Sequence, residues 1–134
     1  MLDYKYVRAM FLIYDTETTG LPKNWNAPLT DSENWPRIVQ LAWQLHDENG
    51  KLLSRGNRII KPDGFTIPFH SVKVHGITSE IAQEEGLSLK EVIEEFSKDL
   101  ERATYVIGHN IEFDVSVLGA ELHRLGQEFE PLTK

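Results

Sequence analysis

The chain opens on an unbroken apolar run, Ala9-Met10-Phe11-Leu12-Ile13, that stops at Tyr14-Asp15. A short run with no helical spacing predicts a strand over Ala9 to Asp15, buried on both faces and central in a sheet. Lys23 to Pro36 has no period and is rich in Pro, Asn, Asp and Ser, so it reads as a long loop carrying Trp25 and Trp35. In "RIVQLAWQLH", Val39, Leu41, Trp43 and Leu45 alternate with Gln40, Gln44 and His46, the period of a strand with two different faces. "DENG" then predicts a type I′ hairpin turn at Asn49-Gly50, and a third, antiparallel strand over Lys51 to Ile60. Pro62 and Gly64 end that strand, and Pro68 is expected to hold off regular structure.

The period changes at Ser88. Leu89, Val92, Ile93, Phe96 and Leu100 form one helical stripe, and Ser88-Leu89-Lys90-Glu91 fits a capping box. Thr104 to Ile107 reads as a short strand, and if it lies beside the first, Asp114 arrives near Asp15 and Glu17. Asn110 stands where an N-cap belongs, and Phe113, Val117, Leu118, Leu122 and Leu125 continue at helical spacing to Gly126, a C′ glycine. Strand, hairpin, helix, strand, helix in that order places the chain in the α/β class as a single domain over residues 1–134.

Composition narrows the function classes. Hydrophobic residues at 40% and charged residues at 26% match a globular protein, and no segment approaches a membrane span, which makes the cytoplasm the expected location. The lack of cysteine removes thiolate metal sites and leaves Asp, Glu and His as ligands. A net charge of -7 argues against a mainly basic grip on nucleic acid. The charge is uneven, however. Lys51, Arg55, Arg58, Lys61 and Lys73 share a window with one acid, Asp63, whereas Glu80 to Glu101 is strongly acidic.

Three groups could carry chemistry. Asp15 and Glu17, two apart at a strand end, point to the same side of the sheet and repel unless one is protonated or a cation lies between them. Hard cations such as Mg²⁺ and Mn²⁺ take such oxygen ligands, although a solvated strand end has the same pattern. Asp114, in the first turn of the last helix, is either a helix-start acid or a third member of this cluster, and Asn110 could cap that helix and reach a ligand. His75, followed by Gly76, reads as a loop histidine, with Thr78 or Ser79 capping a short helix after it.

Taken together, "YDTETTGLP", "RIVQLAW", "VHGIT" and "GHNIEFD" resemble, in order and spacing, the DEDD superfamily of DnaQ-like 3′–5′ exonucleases, which includes the proofreading epsilon subunit of bacterial DNA polymerase III. The resemblance covers nearly the whole chain. It implies an RNase H-like mixed sheet of order 3-2-1-4-5 flanked by helices, and hydrolysis of terminal phosphodiesters of DNA or RNA with two divalent cations, Mg²⁺ or Mn²⁺. By motif, Asp15 would bridge both metals, Glu17 would hold the metal that binds the attacking water, and Asp114 would support the other. Thr16 and Thr18 would contact the terminal nucleotide by backbone or hydroxyl, and His75, Asn110 and Phe113 would form the wall around it. His70 stands where some relatives carry a substrate-contacting acid.

The family's third motif, a general-base His four or five residues before a fourth metal-binding Asp, has no counterpart before Lys134. The resemblance therefore implies a C-terminally incomplete domain, with the fifth strand and last helix missing, weak or no activity alone, and self-association through an exposed sheet edge. The implied partners are a single-stranded 3′ end and a DNA polymerase subunit. The alternative is a non-catalytic nucleic-acid- or polymerase-binding fragment of the same fold. A dehalogenase-like phosphatase ranks lower, because its second acid would be Asp where Glu17 stands, and it gives no account of "VHGIT" or "GHNIEFD".

Overall fold

A computed structural model describes residues 8–127. The segment from Glu128 onward, on which the expected C-terminal incompleteness falls, lies outside the described residues. The order of elements is β1 (Met10–Thr18), β2 (Ile38–Asp47), β3 (Leu52–Ile59), α1 (Phe69–His75), α2 (Ser79–Glu85), α3 (Leu89–Arg102), β4 (Tyr105–Ile107) and α4 (Ile111–Arg124). The sheet order is β3-β2-β1-β4, with β1 antiparallel to β2, β2 antiparallel to β3 and β1 parallel to β4. This is the mixed sheet expected for the first four strands.

Helices pack on one face of the sheet. Leu12 and Tyr14 of β1, Leu41, Trp43 and Leu45 of β2, Val92, Ile93 and Phe96 of α3, and Val117 and Leu118 of α4 share one buried cluster. The α3 stripe is as predicted, and Ser88 caps the helix: its Oγ accepts from Glu91 N at 3.2 Å and donates to the Glu91 carboxylate at 3.1 Å, so the glutamate meets the cap hydroxyl in place of the backbone N–H of a capping box. Asp99 fixes α3 to the strands by accepting from Trp43 Nε1 at 2.8 Å and Ser54 Oγ at 2.7 Å. No helix among the described residues is long and apolar enough to cross a membrane.

The expectation that β1 is buried on both faces is corrected. Leu12, Tyr14 and Thr16 are buried, but Ile13 and Asp15 between them are exposed. The strand period of two sends Phe11, Ile13, Asp15 and Glu17 to the face opposite the helices, and none of the described elements covers it. Phe11 stacks on Tyr105 there, with ring centroids 5.5 Å apart.

Three local expectations also change. The hairpin exists, but Asn49 has no positive φ; Gly50 alone does, and Gly50 N donates to Asp47 O at 3.0 Å. The connection is thus a turn over Asp47 to Gly50 closed by a left-handed glycine, not type I′. Pro68 does not delay structure but stands at the N-cap of α1, because a proline has no N–H to lose in a first turn. His75 therefore ends a helix, followed by left-handed Gly76 at the C-cap, instead of lying in a loop. Thr78 caps α2 as foreseen, accepting from Ile81 N at 3.1 Å.

Candidate active site

The site is built where the C-terminal end of β1 meets the start of α4. Parallel pairing of Phe11 with Tyr105 and Ile13 with Ile107 points β4 toward the same end as β1, so Gly108 to Asp114 emerges beside Asp15 and Glu17. Gly108 makes the approach possible. A β-carbon there would stand 3.0 Å from Ile111 Cδ1 and 3.4 Å from both Asp114 Oδ2 and the Tyr14 carbonyl.

Asp114 is buried, and Thr16 Oγ1 donates to its Oδ1 at 2.7 Å. Burial pushes the Asp114 carboxyl above the usual carboxylate range; the Thr16 hydrogen bond opposes this, and the charges of Asp15 and then Glu17 push it further up. Asp114 therefore lies within electrostatic reach of both acids of β1. Tyr14, on the same buried face as Thr16, has its phenol pushed up by burial and then by Asp114, and its hydroxyl has no hydrogen-bond partner among the described residues.

The acids do not yet enclose a cation. Among the described residues no three His, Asp or Glu side chains are gathered closely enough to hold a metal ion. Alternation along β1 explains this, since Thr16 takes Asp114 toward the helix side while Asp15 and Glu17 belong to the opposite face. In kind, the donor set fits a hard divalent cation. It is all carboxylate oxygen, and its buried member is made a poorer anion by burial first and then by the charges of Asp15 and Glu17, a penalty that a cation would relieve.

The turn after Glu17 is held on several sides. Thr18 Oγ1 donates to Gly20 O at 2.8 Å, Thr19 N donates to Arg37 O at 2.9 Å, and Arg37 N donates to Thr19 Oγ1 at 3.0 Å. Buried Ser71 of α1 donates to Thr19 O at 2.6 Å, which docks α1 on the same turn and brings His70 beside Gly20. The hydroxyls of Thr16 and Thr18 are thus engaged within the protein.

The other expected residues lie around this end. His75 Nδ1 accepts from Ile77 N at 3.1 Å, which places the ring proton on Nε2, a buried atom without a partner among the described residues. Asn110 occupies the N-cap position of α4 but makes no side-chain cap; its carbonyl accepts from Phe113 N and Asp114 N instead, and its side chain stays exposed. Phe113 is half-buried against Trp25, with ring centroids 5.7 Å apart. A shallow concavity of about 800 Å³ runs from Asp15 across the open face of the sheet, past Gln44, Arg55 and Asn57. Arg55 and Arg58 of the basic window both line this concavity with Asp15, and Arg58 also pairs with Glu95 of α3 at 2.8 Å.

Sequence reasoning did not find Glu121. It is fully buried on α4 and accepts from Arg37 Nε at 2.8 Å, Arg124 Nη1 at 2.6 Å and Ile38 N at 3.1 Å. Arg124 in turn donates to the carbonyls of Ser32 and Trp35, tying the long loop to α4. A signal was present, since position 121 lies three and four residues after Leu118 and Val117 on the apolar stripe.

Comparison with known proteins places this geometry in context. A family model for RNase T, described as exonuclease, matches residues 12–134. The 3′–5′ exonuclease DinG of Bacillus subtilis is 32% identical over 116 residues, which are 87% of this chain and 11% of that protein. The DNA polymerase III subunit epsilon of Treponema pallidum is 30% identical over 112 residues, 84% of this chain and 46% of that one. The chain therefore spans less than half the length of either relative. Exonuclease I of Methylocaldum szegediense superposes with a TM-score of 0.70 at 26% identity, covering 87% of this chain and 24% of that one. E. coli exonuclease I in complex with a dT13 oligonucleotide gives a TM-score of 0.72 at 20% identity over 90% of this chain and 25% of that one, a likeness of fold.

Proposed function

The chain belongs to the RNase T exonuclease family, whose model matches residues 12–134, and from that premise we propose that residues 1–134 form one DEDD-type exonuclease unit acting on 3′ ends of DNA or RNA. The observation that carries the reading is the delivery of Asp114 from α4 to Thr16 of β1, within electrostatic reach of Asp15 and Glu17.

In this reading Asp15, Glu17 and Asp114 hold two divalent cations, Mg²⁺ or Mn²⁺. When bound, such cations would supply neutralisation of the scissile phosphate and a water acidic enough to attack it. Thr16 keeps Asp114 oriented, and the Thr18–Gly20 turn, braced by Ser71, sets where the acids of β1 stand. His75, Asn110 and Phe113 flank the terminal nucleotide. The motifs map no general base onto these residues, and loss of such a base costs about 10²- to 10⁴-fold; the 134 residues alone hydrolyse slowly. A DNA polymerase subunit is the proposed protein partner, and the cytoplasm the proposed location. The free side of β4 among the described residues, with exposed Ile13, Tyr105 and Ile107 beside it, is the proposed surface of self-association.

The test is release of label from a 3′-labelled single strand with Mg²⁺. Slow release that stops on chelation and in Asp15→Ala is expected. Release at an unchanged rate in Asp15→Ala would overturn the assignment. The second reading, a non-catalytic binding fragment, draws on the open arrangement of the three acids. Oligonucleotide binding that needs no cation and survives Asp15→Ala would favour it.

A further inference from the structure

A second concentration of charge lies apart from the three acids. A concavity of about 530 Å³ opens between the end of β3, the start of α3 and the end of α4, lined by Arg37, Lys61, Lys90 and Arg124 with Asp63 as the one acid of the lining. The chain as a whole is acidic, with 21 Asp and Glu against 14 Lys and Arg, yet four of its cations share this hollow.

Backbone pairing builds one wall. Leu87 N donates to Ile59 O at 2.9 Å and Lys61 N donates to Leu87 O at 2.8 Å, so the segment entering α3 runs parallel to the end of β3 and brings Lys90 to the hollow that Lys61 lines. Gly86 permits the approach, since a β-carbon there would stand 2.5 Å from Lys61 N. Glu121 builds the other wall by drawing two guanidinium groups together: Arg37 Nε and Arg124 Nη1 both donate to its Oε1, at 2.8 and 2.6 Å. One carboxylate thus answers two cations. Arg124 spends its Nη2 on the carbonyls of Ser32 and Trp35. Arg37 gives Glu121 only Nε and rests on the Phe65 ring at 4.4 Å, and neither of its Nη groups has a partner among the described residues. Lys61 and Lys90 make no ion pair among those residues.

Like charges gathered in this way repel, and partial burial reduces the screening that water and salt give them. The two arginine side chains are 24% and 13% exposed. An anion held between the walls would remove that cost. We propose that this hollow is a binding site for a phosphorylated anion, either free phosphate or the phosphate group of a nucleotide, separate from the acids of the candidate active site. The free Nη pair of Arg37 offers a fork that suits phosphate oxygens, and the two lysines add point charges on flexible stems. The site does not depend on the exonuclease reading, because none of its residues belongs to the acid cluster.

The experiment is thermal melting of the 134-residue chain in a chelating buffer with inorganic phosphate, adenosine 5′-monophosphate or adenosine added, and with chloride making up the ionic strength; calorimetric titration gives the affinities. Phosphate and the monophosphate are expected to raise Tm with Kd of about a millimolar or tighter, and adenosine is expected to leave it unchanged. Lys61→Ala combined with Lys90→Ala should weaken binding of both by about tenfold or more. Tighter binding of the monophosphate would assign the site to a nucleotide and equal binding to free phosphate, and both results support it. Stabilisation no greater than that given by chloride, an equal rise with adenosine, or an affinity unchanged in the double-lysine variant overturns the proposal.

Discussion

Thr16 and Asp114, 98 positions apart, are joined by a 2.7 Å hydrogen bond in which the threonine hydroxyl donates to a buried carboxylate. The bond ties the end of β1 to the first turn of α4, and so sets where the acids of the two motifs stand. Thr16→Val keeps the shape of the side chain and removes the donor, leaving the carboxylate without this partner. A loss of about 1.5 to 3 kcal/mol in unfolding free energy is expected at neutral pH, from the value of a hydrogen bond to a charged group. Urea denaturation of the two chains measures it; a change within error would mean that the bond does not restrain Asp114.

Asp114 also gives stability a pH dependence of known sign. Its carboxyl is raised in the folded chain, by burial first, with Asp15 and Glu17 adding to it. The folded state therefore binds this proton more tightly than the unfolded one. The stability it contributes is fully present below the unfolded value, about 3.9, and is lost as pH rises through the raised folded value. Compared with Asp114→Asn, which cannot ionise, the unsubstituted chain should lose ground from about pH 4 toward neutrality in a chelating buffer. Mg²⁺ at pH 7 should narrow the gap, because a bound cation favours the ionised form. A gap that stays constant across the range contradicts the assignment.

Glu121 is a buried anion whose partners are two cations and a backbone N–H. Glu121→Ala leaves Arg37 and Arg124 facing each other without their shared counter-charge and frees the loop that Arg124 holds. Breaking one side of a buried ion pair costs about 3 to 5 kcal/mol. The expected result is a lowered Tm together with faster proteolytic cutting within residues 23–36. If the loop stays as resistant as before, the clamp is not what orders it.

Gly56 is fixed by packing and not by backbone conformation. A β-carbon at this position would stand 2.2 Å from Trp43 Cζ2, and that ring cannot withdraw, because Nε1 is bonded to Asp99 and Phe96 packs edge-on at 5.3 Å between centroids. Gly56→Ala should destabilise by about 1 to 3 kcal/mol, the usual cost of overpacking. Denaturant melts would show it. Recovery in Gly56→Ala combined with Trp43→Phe would confirm the clash as the cause, since that pair opens space where the indole stood.

The elements that were legible in the sequence are those whose pattern has a single structural cause. The alternation of β2 reports one covered face, and Ser88 with Glu91 leaves little but a capped helix. Gly126 closes α4 as read, with Gln127 N bonded to Leu122 O and Gly126 N to His123 O. The misread elements have patterns with two causes. An apolar run such as β1 shows that residues favour burial, not that both faces receive it. Asn49-Gly50 suits two kinds of hairpin turn, and Pro68 can break a helix or begin one. The site follows the same rule. Asp15, Glu17 and Asp114 were visible as acids at element ends, but the Thr16 bond is what holds Asp114 on the helix side while alternation sends Asp15 and Glu17 to the other face, and Glu121 was hidden because a charged residue on an apolar stripe usually marks the stripe's edge.

The open face of the sheet carries the last prediction. Phe11 and Tyr105 stack there, Ile13 and Ile107 are exposed beside them, and β4 pairs with β1 alone among the described residues. A short edge strand beside apolar side chains offers both unpaired backbone groups and surface to bury, the two features that favour edge pairing with another chain. Burying one large apolar side chain contributes about 1.5 to 3 kcal/mol, so replacing one should weaken association about tenfold or more. Tyr105→Lys puts a charge on that face and is expected to shift sedimentation velocity profiles toward monomer across a dilution series. A mass distribution that matches the unsubstituted chain at every concentration would remove this face as the contact and leave its exposure without a role in assembly.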